Sequence, residues 1–204
     1  MRIRIYPDNP SPKNIAQAVE VMESGGVIIY PTDTLYALGC DLYNHKALDR
    51  LCRLRGVKTE KALFSLLCPD LGCLADYTRP VSNTLFKLLR RNTPGPFTFV
   101  LSANSQTPKI WQSKRKTIGI RIPDNTVARA LAETLGHPMV TASLRLDEEV
   151  DDTYLTDPEL MEEMFGRQVD LIVDGGPGSL TPSTVVDCTS GEPEIVRQGA
   201  GSLV

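Results

Sequence analysis

Gly25-Gly26-Val27-Ile28-Ile29-Tyr30-Pro31-Thr32-Asp33-Thr34 is the stretch that decides the fold class. Paired glycines accept the left-handed turn that ends a helix. The apolar run from Val27 to Tyr30 is short and stops at Pro31, as a strand buried on both faces does before it empties into a loop. Upstream, Ser11-Pro12 has the form of a helix start, with Ser as N-cap and Pro at the first helical position. Ile15, Ala18, Val19 and Met22 follow at helical spacing. The unit is helix, buried strand, polar loop.

The same alternation runs outward from it. Met1 to Tyr6 alternates apolar and basic residues and suits a short strand. Asn44 caps a second helix with Ala47, Leu48, Leu51 and Cys52 inward, and Leu63 to Cys68 reads as a buried strand. Val81 to Arg91 is a helix built on Leu85, Leu88 and Leu89; Phe97 to Leu101 and Thr117 to Ile122 are strands. Asn125 to Leu135 is a helix closed by Gly136, and Met139 to Ala142 is a strand. A helix runs from Asp157-Pro158 to Gly166, followed by short strands at Val169 to Val173, Thr184 to Asp187 and Glu194 to Val196. This predicts an α/β fold, a twisted open mixed sheet flanked by helices. With 204 residues and no internal repeat, one domain over 1–204 suffices. The acidic stretch Leu146 to Thr156 reads as a mobile loop, and Asp174-Gly175-Gly176-Pro177-Gly178 as a flexible one.

Hydrophobic residues at 41% and charged residues at 23% are ordinary globular usage and exclude disorder. A net charge of -3 excludes a globally basic nucleic-acid binder but leaves room for a local basic pocket among 22 Lys and Arg. The five cysteines are odd in number and contain no C-x-x-C pair, which argues against zinc and disulfides. No apolar run has signal-peptide or membrane-span length, so a cytoplasmic protein with no membrane partner is expected. Phosphate-loop, dinucleotide and nucleophile-elbow motifs are all missing. His45 and His137 stand at helix ends, where exposed structural roles are expected, so a histidine-activated nucleophile is not.

What remains is a set of strand-end segments rich in Thr, Ser and Arg. Hydroxyls in Pro31-Thr32-Asp33-Thr34-Leu35-Tyr36 can bond a small polar ligand at the sheet's carboxyl edge, or cap their own turn. Arg53-Leu54-Arg55, with Lys58 and Lys61, suits phosphate or carboxylate, or the helix's own negative pole. Arg121 alternates with Ile120 and Ile122 and shares a face with Gly119. A charge inside a buried strand needs a partner, either a bound anion or an internal carboxylate. Arg90-Arg91 and Lys114-Arg115-Lys116 are either further footing for phosphate or solvated faces.

Gly25 to Tyr36, Pro94-Gly95-Pro96-Phe97-Thr98, Arg121-Ile122-Pro123, Ser183-Thr184-Val185-Val186-Asp187 and Arg197-Gln198-Gly199 together resemble the YrdC family of threonylcarbamoyl-adenylate synthases, and in detail its YciO branch. The resemblance covers about Ala18 to Gly199 and implies a YrdC-like fold. It also implies a reaction: bicarbonate and L-threonine give N-carboxy-threonine, which ATP adenylates with release of pyrophosphate, serving threonylcarbamoylation of transfer RNA. ATP is then a substrate, Mg2+ accompanies it, and no protein nucleophile is required. Such chemistry rests on orienting substrates and stabilising charge on the triphosphate. By position, the resemblance implies Thr32, Thr34, Arg121, Thr141 and Ser183 at threonine, and Arg53, Arg55, Thr117, Ser143 and Arg197 at the nucleotide. Two motifs depart: the family's Lys-x-Arg reads Arg53-Leu54-Arg55, and its Ser-x-Asn reads Ser143-Leu144-Arg145. The alternative reading is an RNA-binding or ribosome-associated protein that takes tRNA or double-stranded RNA in the same basic concavity without the synthase reaction. A third is a relative acting on another nucleotide or carbamoyl compound.

Overall fold

In the computed structural model of the chain, which describes residues 1–58, 62, 64–105, 107, 116–145 and 151–204, helices begin where a side chain accepts the first free amides. Ser11 caps α1 (Pro12–Glu23) through the Asn14 amide, and Asn44 caps α2 (His45–Leu54) through that of Ala47. A 3-10 turn over Leu71–Cys73 leads into the short α3 (Leu74–Tyr77). Ser82 caps α4 (Asn83–Asn92), Asn125 caps α5 (Thr126–Leu135), and Asp157 caps α6 (Pro158–Phe165). Gly136 closes α5 in the left-handed conformation at φ 78°, as its glycine predicted. No helix among the described residues is long and apolar enough to cross a membrane.

The strands are β1 (Arg2–Arg4), β2 (Ile28–Tyr30), β3 (Ala37–Asp41), β4 (Ser65–Leu67), β5 (Phe97–Ser102), β6 (Thr117–Arg121), β7 (Met139–Ser143), β8 (Leu171–Asp174), β9 (Thr184–Asp187) and β10 (Glu194–Arg197). They form one ten-stranded mixed sheet in the order β1-β8-β2-β3-β7-β4-β6-β5-β9-β10. Three expectations change. The segment from Pro31 to Tyr36 is a six-residue turn, followed by β3, which pairs antiparallel with β2 and β7. In the acidic stretch, Asp152–Leu155 is a 3-10 turn capped by Asp151 and anchored by the buried Leu155, with Asp151 to Thr153 exposed; 146–150 lie outside the described residues. The glycine run after Asp174 is held as well: the Tyr36 hydroxyl donates to Gly176 O at 2.7 Å and accepts from Gly175 N at 3.0 Å.

The two faces of the sheet differ in what covers them. On one, α2, α3, α4 and α6 lay Leu48, Leu51, Leu74, Leu85, Leu89 and Met161 against a continuous apolar layer that includes Ile29, Leu38, Leu66, Phe99, Ile120 and Val140. On the other, α1 and α5 pack on Ile28, Tyr30, Ala37, Leu67, Met139, Leu171 and Val173. No buried apolar residue of that second layer comes from β5, β6, β9 or β10. Because side chains alternate along a strand, the part of this face beyond α1 and α5 is set by Ser65, Thr98, Val100, Thr117, Gly119, Arg121, Thr141 and Ser143.

Candidate functional site

One register row crosses that open face: Gly39, Thr141, Ser65, Gly119 and Val100 stand side by side on five adjacent strands. Small residues keep this floor low. A Cβ on Gly119 would come within 2.5 Å of Ser65 Oγ, and one on Gly39 within 2.4 Å of Met139 Cε. Ser65, Thr117, Gly119 and Ser143 are half-buried, as befits a lined concavity. Thr141 is buried and hydrogen-bonded to the Tyr30 hydroxyl. Burial pushes that phenol up to about 12, against the pull of Thr141 and the Arg121 charge.

The turn from Pro31 to Tyr36 divides its labour. Thr32 Oγ1 accepts from Thr34 N at 3.0 Å and donates to Leu35 O at 2.7 Å, so Thr32 builds the turn itself. Asp33 and Thr34 instead reach across the sheet. Arg121 Nη2 donates to Asp33 Oδ1 at 3.2 Å and to Thr34 Oγ1 at 2.9 Å. Arg121 is 4% exposed, and its Nε is buried with no hydrogen-bond partner among the described residues. Both candidate partners for this buried charge therefore have a place: an internal carboxylate on one edge of the guanidinium, and an unmet donor on another.

A second guanidinium is fixed from β10. Arg197 donates from Nε (3.2 Å) and Nη2 (2.7 Å) to Ser183 O, while Ser183 Oγ lies 2.9 Å from Thr98 Oγ1. Burial lowers the pKa of Arg197, and the neighbouring charges of Arg145 and Arg121 lower it further. Arg55, the C-cap of α2, is half-buried with an unpartnered Nε; burial and then the charge of Arg145 lower its pKa. Arg145 thus repels both Arg55 and Arg197, and Arg121 repels Arg197, which links the four cations in one electrostatic chain. Among the described residues, the carboxylate paired with this chain is that of Asp33.

The structure brings Thr34, Arg121, Thr141, Ser143, Thr117, Ser183 and Arg197 to one face, with Thr32 at its rim; Arg55, at the end of α2, is within electrostatic reach of Arg145. Arg53 is not among them: it is exposed, and its Nε turns back to Asp49 O at 3.4 Å. Lys58 is exposed, and Lys61, Lys114 and Arg115 lie outside the described residues. Tyr30, Ser65, Thr98 and Gly119 were not named from the sequence as site residues. Their signal was parity, since each of Ser65, Thr98 and Gly119 alternates with buried apolar neighbours on its strand. His45 is exposed as expected, but His137 is half-buried, 3.5 Å from Asp41 and edge-on to Tyr43. It lines a separate cleft of about 290 Å³ with Asp70, Tyr77 and Glu133, which holds none of the guanidinium cluster.

Residues 20–199 match the model of the Sua5/YciO/YrdC family, described as telomere recombination. The chain belongs to this family. YciO of Escherichia coli K12 is 44% identical over 200 residues, spanning 98% of this chain and 95% of YciO. The crystal structure of E. coli YciO matches with a TM-score of 0.91 at 43% identity, over 99% of this chain and 97% of that one. A threonylcarbamoyl-AMP synthase of Coxiella burnetii is 28% identical over 181 residues, 88% of this chain and 95% of the synthase. P. abyssi Sua5, solved in complex with L-threonine, shares the fold at a TM-score of 0.86 and 23% identity; the match covers 98% of this chain and 57% of Sua5. The Sua5/YciO/YrdC fold thus accounts for the ten-stranded sheet.

Proposed function

We propose that the chain, acting as one unit over residues 1–204, binds ATP and L-threonine on the open face of its sheet and joins them with bicarbonate into threonylcarbamoyl-AMP, releasing pyrophosphate. The product would serve threonylcarbamoylation of tRNA. The observation that carries this reading is the guanidinium chain with its buried, unpartnered Nε atoms on Arg55 and Arg121. Charged groups held together at a cost to stability favour a ligand that brings several negative charges. A triphosphate does so, and a carboxylate fits the unmet edge of Arg121 beside Thr34.

On this reading Arg121, Thr34, Thr141 and Ser183 orient the amino acid, while Arg55, Arg197, Ser143 and Thr117 hold the nucleotide. Thr32 acts through the turn it builds, and Arg53 contributes only general charge. The residues present do not make a cage for Mg2+: among the described residues no group of three His, Cys, Asp or Glu side chains is placed to hold an ion. Asp33 is already taken by Arg121 and by the Asp124 amide at 3.0 Å. Magnesium then enters bound to the triphosphate, as part of the substrate. The chain's own work is to orient the reactants and neutralise charge growing on the leaving pyrophosphate.

The test is pyrophosphate release with ATP, bicarbonate and threonine, each omitted in turn. Release that depends on all three supports the synthase. ATP binding without threonine-dependent release replaces it with a nucleotide-binding relative of other chemistry.

A further inference from the structure

Ser65 is the polar residue of a strand that is otherwise core. Leu66 and Leu67 beside it in β4 are buried, whereas Ser65 is half-buried and faces the concavity. It stands in the middle of the register row, with Thr141 directly opposite on β7 and Gly119 on β6. The hydroxyls around it are committed within the protein. Thr32 bonds Leu35 O, Thr34 takes a hydrogen from Arg121, Thr98 pairs with Ser183, and Thr141 pairs with Tyr30. Among the described residues, Ser65 Oγ has no hydrogen-bond partner, a condition it shares with Ser143, placed at the nucleotide above. A low floor would be served as well by alanine, so the hydroxyl itself needs a reason.

Its position supplies one. A Cβ on Gly119 would come within 2.5 Å of Ser65 Oγ and 3.3 Å of Thr98 Cγ2. The hydroxyl therefore occupies the space that a side chain at 119 would take, with the Thr98 methyl as the far wall. Residues 117, 119 and 121 share one face of β6, so this oxygen lies between the places of Thr117 and Arg121, about 7 Å along the strand from each. In the function proposed above, Thr117 faces the nucleotide and Arg121 the amino acid. The group between them is the one that joins the two substrates, the carbamate on the threonine nitrogen.

We infer that Ser65 is a binding residue for this carbamate, its hydroxyl donating to a carbamate oxygen over the bare backbone of Gly119. The inference rests on the proposed binding of threonine and nucleotide on this face. Tyr30 supports it from the other side of the row. Tyr30 is fully buried, and Thr141 Oγ1 is the acceptor beside its hydroxyl among the described residues. Tyr30 therefore donates, since a buried phenol hydrogen without an acceptor is costly, and Thr141 keeps its own hydrogen for the concavity. Ser65 and Thr141 are directly opposite, with Cβ atoms about 5 Å apart. They offer two donors to one planar anion, which suits a carbamate and not the ammonium of free threonine.

Two measurements on the full chain test this. In the first, pyrophosphate release is followed with bicarbonate varied at saturating ATP and threonine. Ser65→Ala should raise the bicarbonate KM about ten- to hundredfold, as loss of a hydrogen bond to a charged group does, and leave Tm and the KM values for ATP and threonine unchanged. The second, calorimetry with N-carbamoyl-L-threonine, a stable uncharged analogue of the carbamate, needs no turnover. The parent should bind it about two- to tenfold more tightly than L-threonine, and Ser65→Ala should bind the two alike. Threonine-dependent release with an unchanged bicarbonate KM in Ser65→Ala overturns the role of Ser65 and leaves the synthase standing. No release from the parent, with an analogue preference that Ser65→Ala abolishes, overturns the synthase and keeps the Ser65 contact. An analogue preference that is missing from the parent or survives in Ser65→Ala overturns the inference, as does an equal rise in all three KM values with a fall in Tm.

Discussion

Replacing Asp33 by asparagine isolates the charge of Arg121. The guanidinium is almost wholly buried, and its partners are Asp33 Oδ1 at 3.2 Å and Thr34 Oγ1 at 2.9 Å. At that separation and an effective dielectric of about 20, the ionic attraction is roughly 5 kcal/mol. Removing one member of a buried pair costs about 3–5 kcal/mol, because the other charge stays behind. Thr34 still accepts one hydrogen bond from the guanidinium in the variant, so the lower end, about 3 kcal/mol, is expected. For a chain of this length that lowers Tm by roughly 6–12 °C. Urea denaturation gives the free energy directly. Pyrophosphate at about a hundred times its Kd adds roughly 2.7 kcal/mol to whatever binds it. At equal pyrophosphate concentration the variant should gain more than the parent, since its site lacks the negative charge that competes with the ligand. A loss under about 1 kcal/mol, or an equal gain from pyrophosphate in both proteins, would refute the reading of Asp33 as the carboxylate that neutralises Arg121 beside the ligand's place.

Three further outcomes follow from the same geometry. Arg55→Ala should weaken ATP binding by about 1.5–3 kcal/mol in calorimetry, and Arg53→Ala should leave it unchanged; equal effects would mean that the cluster acts only as diffuse charge. Arg145→Asn should relieve the repulsion on Arg55 and Arg197, loosen ATP and raise threonine-dependent pyrophosphate release, since asparagine restores an acceptor that arginine lacks; no change in either places Arg145 outside the reacting complex. Burial pushes Tyr30 and Tyr36 to about 12, whereas an unfolded tyrosine titrates near 10. Between those values the native state holds more protons, so stability is intact below about pH 10 and falls as pH climbs toward 12. A denaturation midpoint that stays flat across that window contradicts the burial of both phenols.

Local chemistry was legible and distant chemistry was not. Ser11, Asn44, Asn125 and Asp157 announce helix starts because a cap and its amide are at most three residues apart. β3 escaped notice because Ala37-Leu38-Gly39-Cys40-Asp41 follows a polar turn and carries a glycine mid-strand. The reason for Gly39 lies in Tyr30 and Met139 on neighbouring strands. Arg121 could be recognised as a buried charge in need of a partner, but not which partner, since Asp33 is 88 residues away. Arg53 and Arg55 look equivalent in the sequence. Helical phase separates them, sending one along the outside of α2 and leaving the other at its C-cap.

The division of the sheet face explains how the chain tolerates so unfavourable a site. A row of like charges over a floor of Gly, Ser and Thr contributes little to folding and repels itself. The strands that form this floor, β4 to β7, recover stability on their other side, where Leu66, Phe97, Phe99, Ile118, Ile120 and Val140 pack without a polar interruption. Alternation lets each residue step from one role to the other, so Ile120 is core and Arg121 is site. This separates the effects of substitution. Changes at Phe99 or Ile120 should lower stability and leave ligand preference alone. A change at Ser65 should do the reverse, because a larger side chain there enters the space a ligand would fill rather than the packed layer beneath it; at Gly119 both effects are expected, since a Cβ would stand 2.5 Å from Ser65 Oγ.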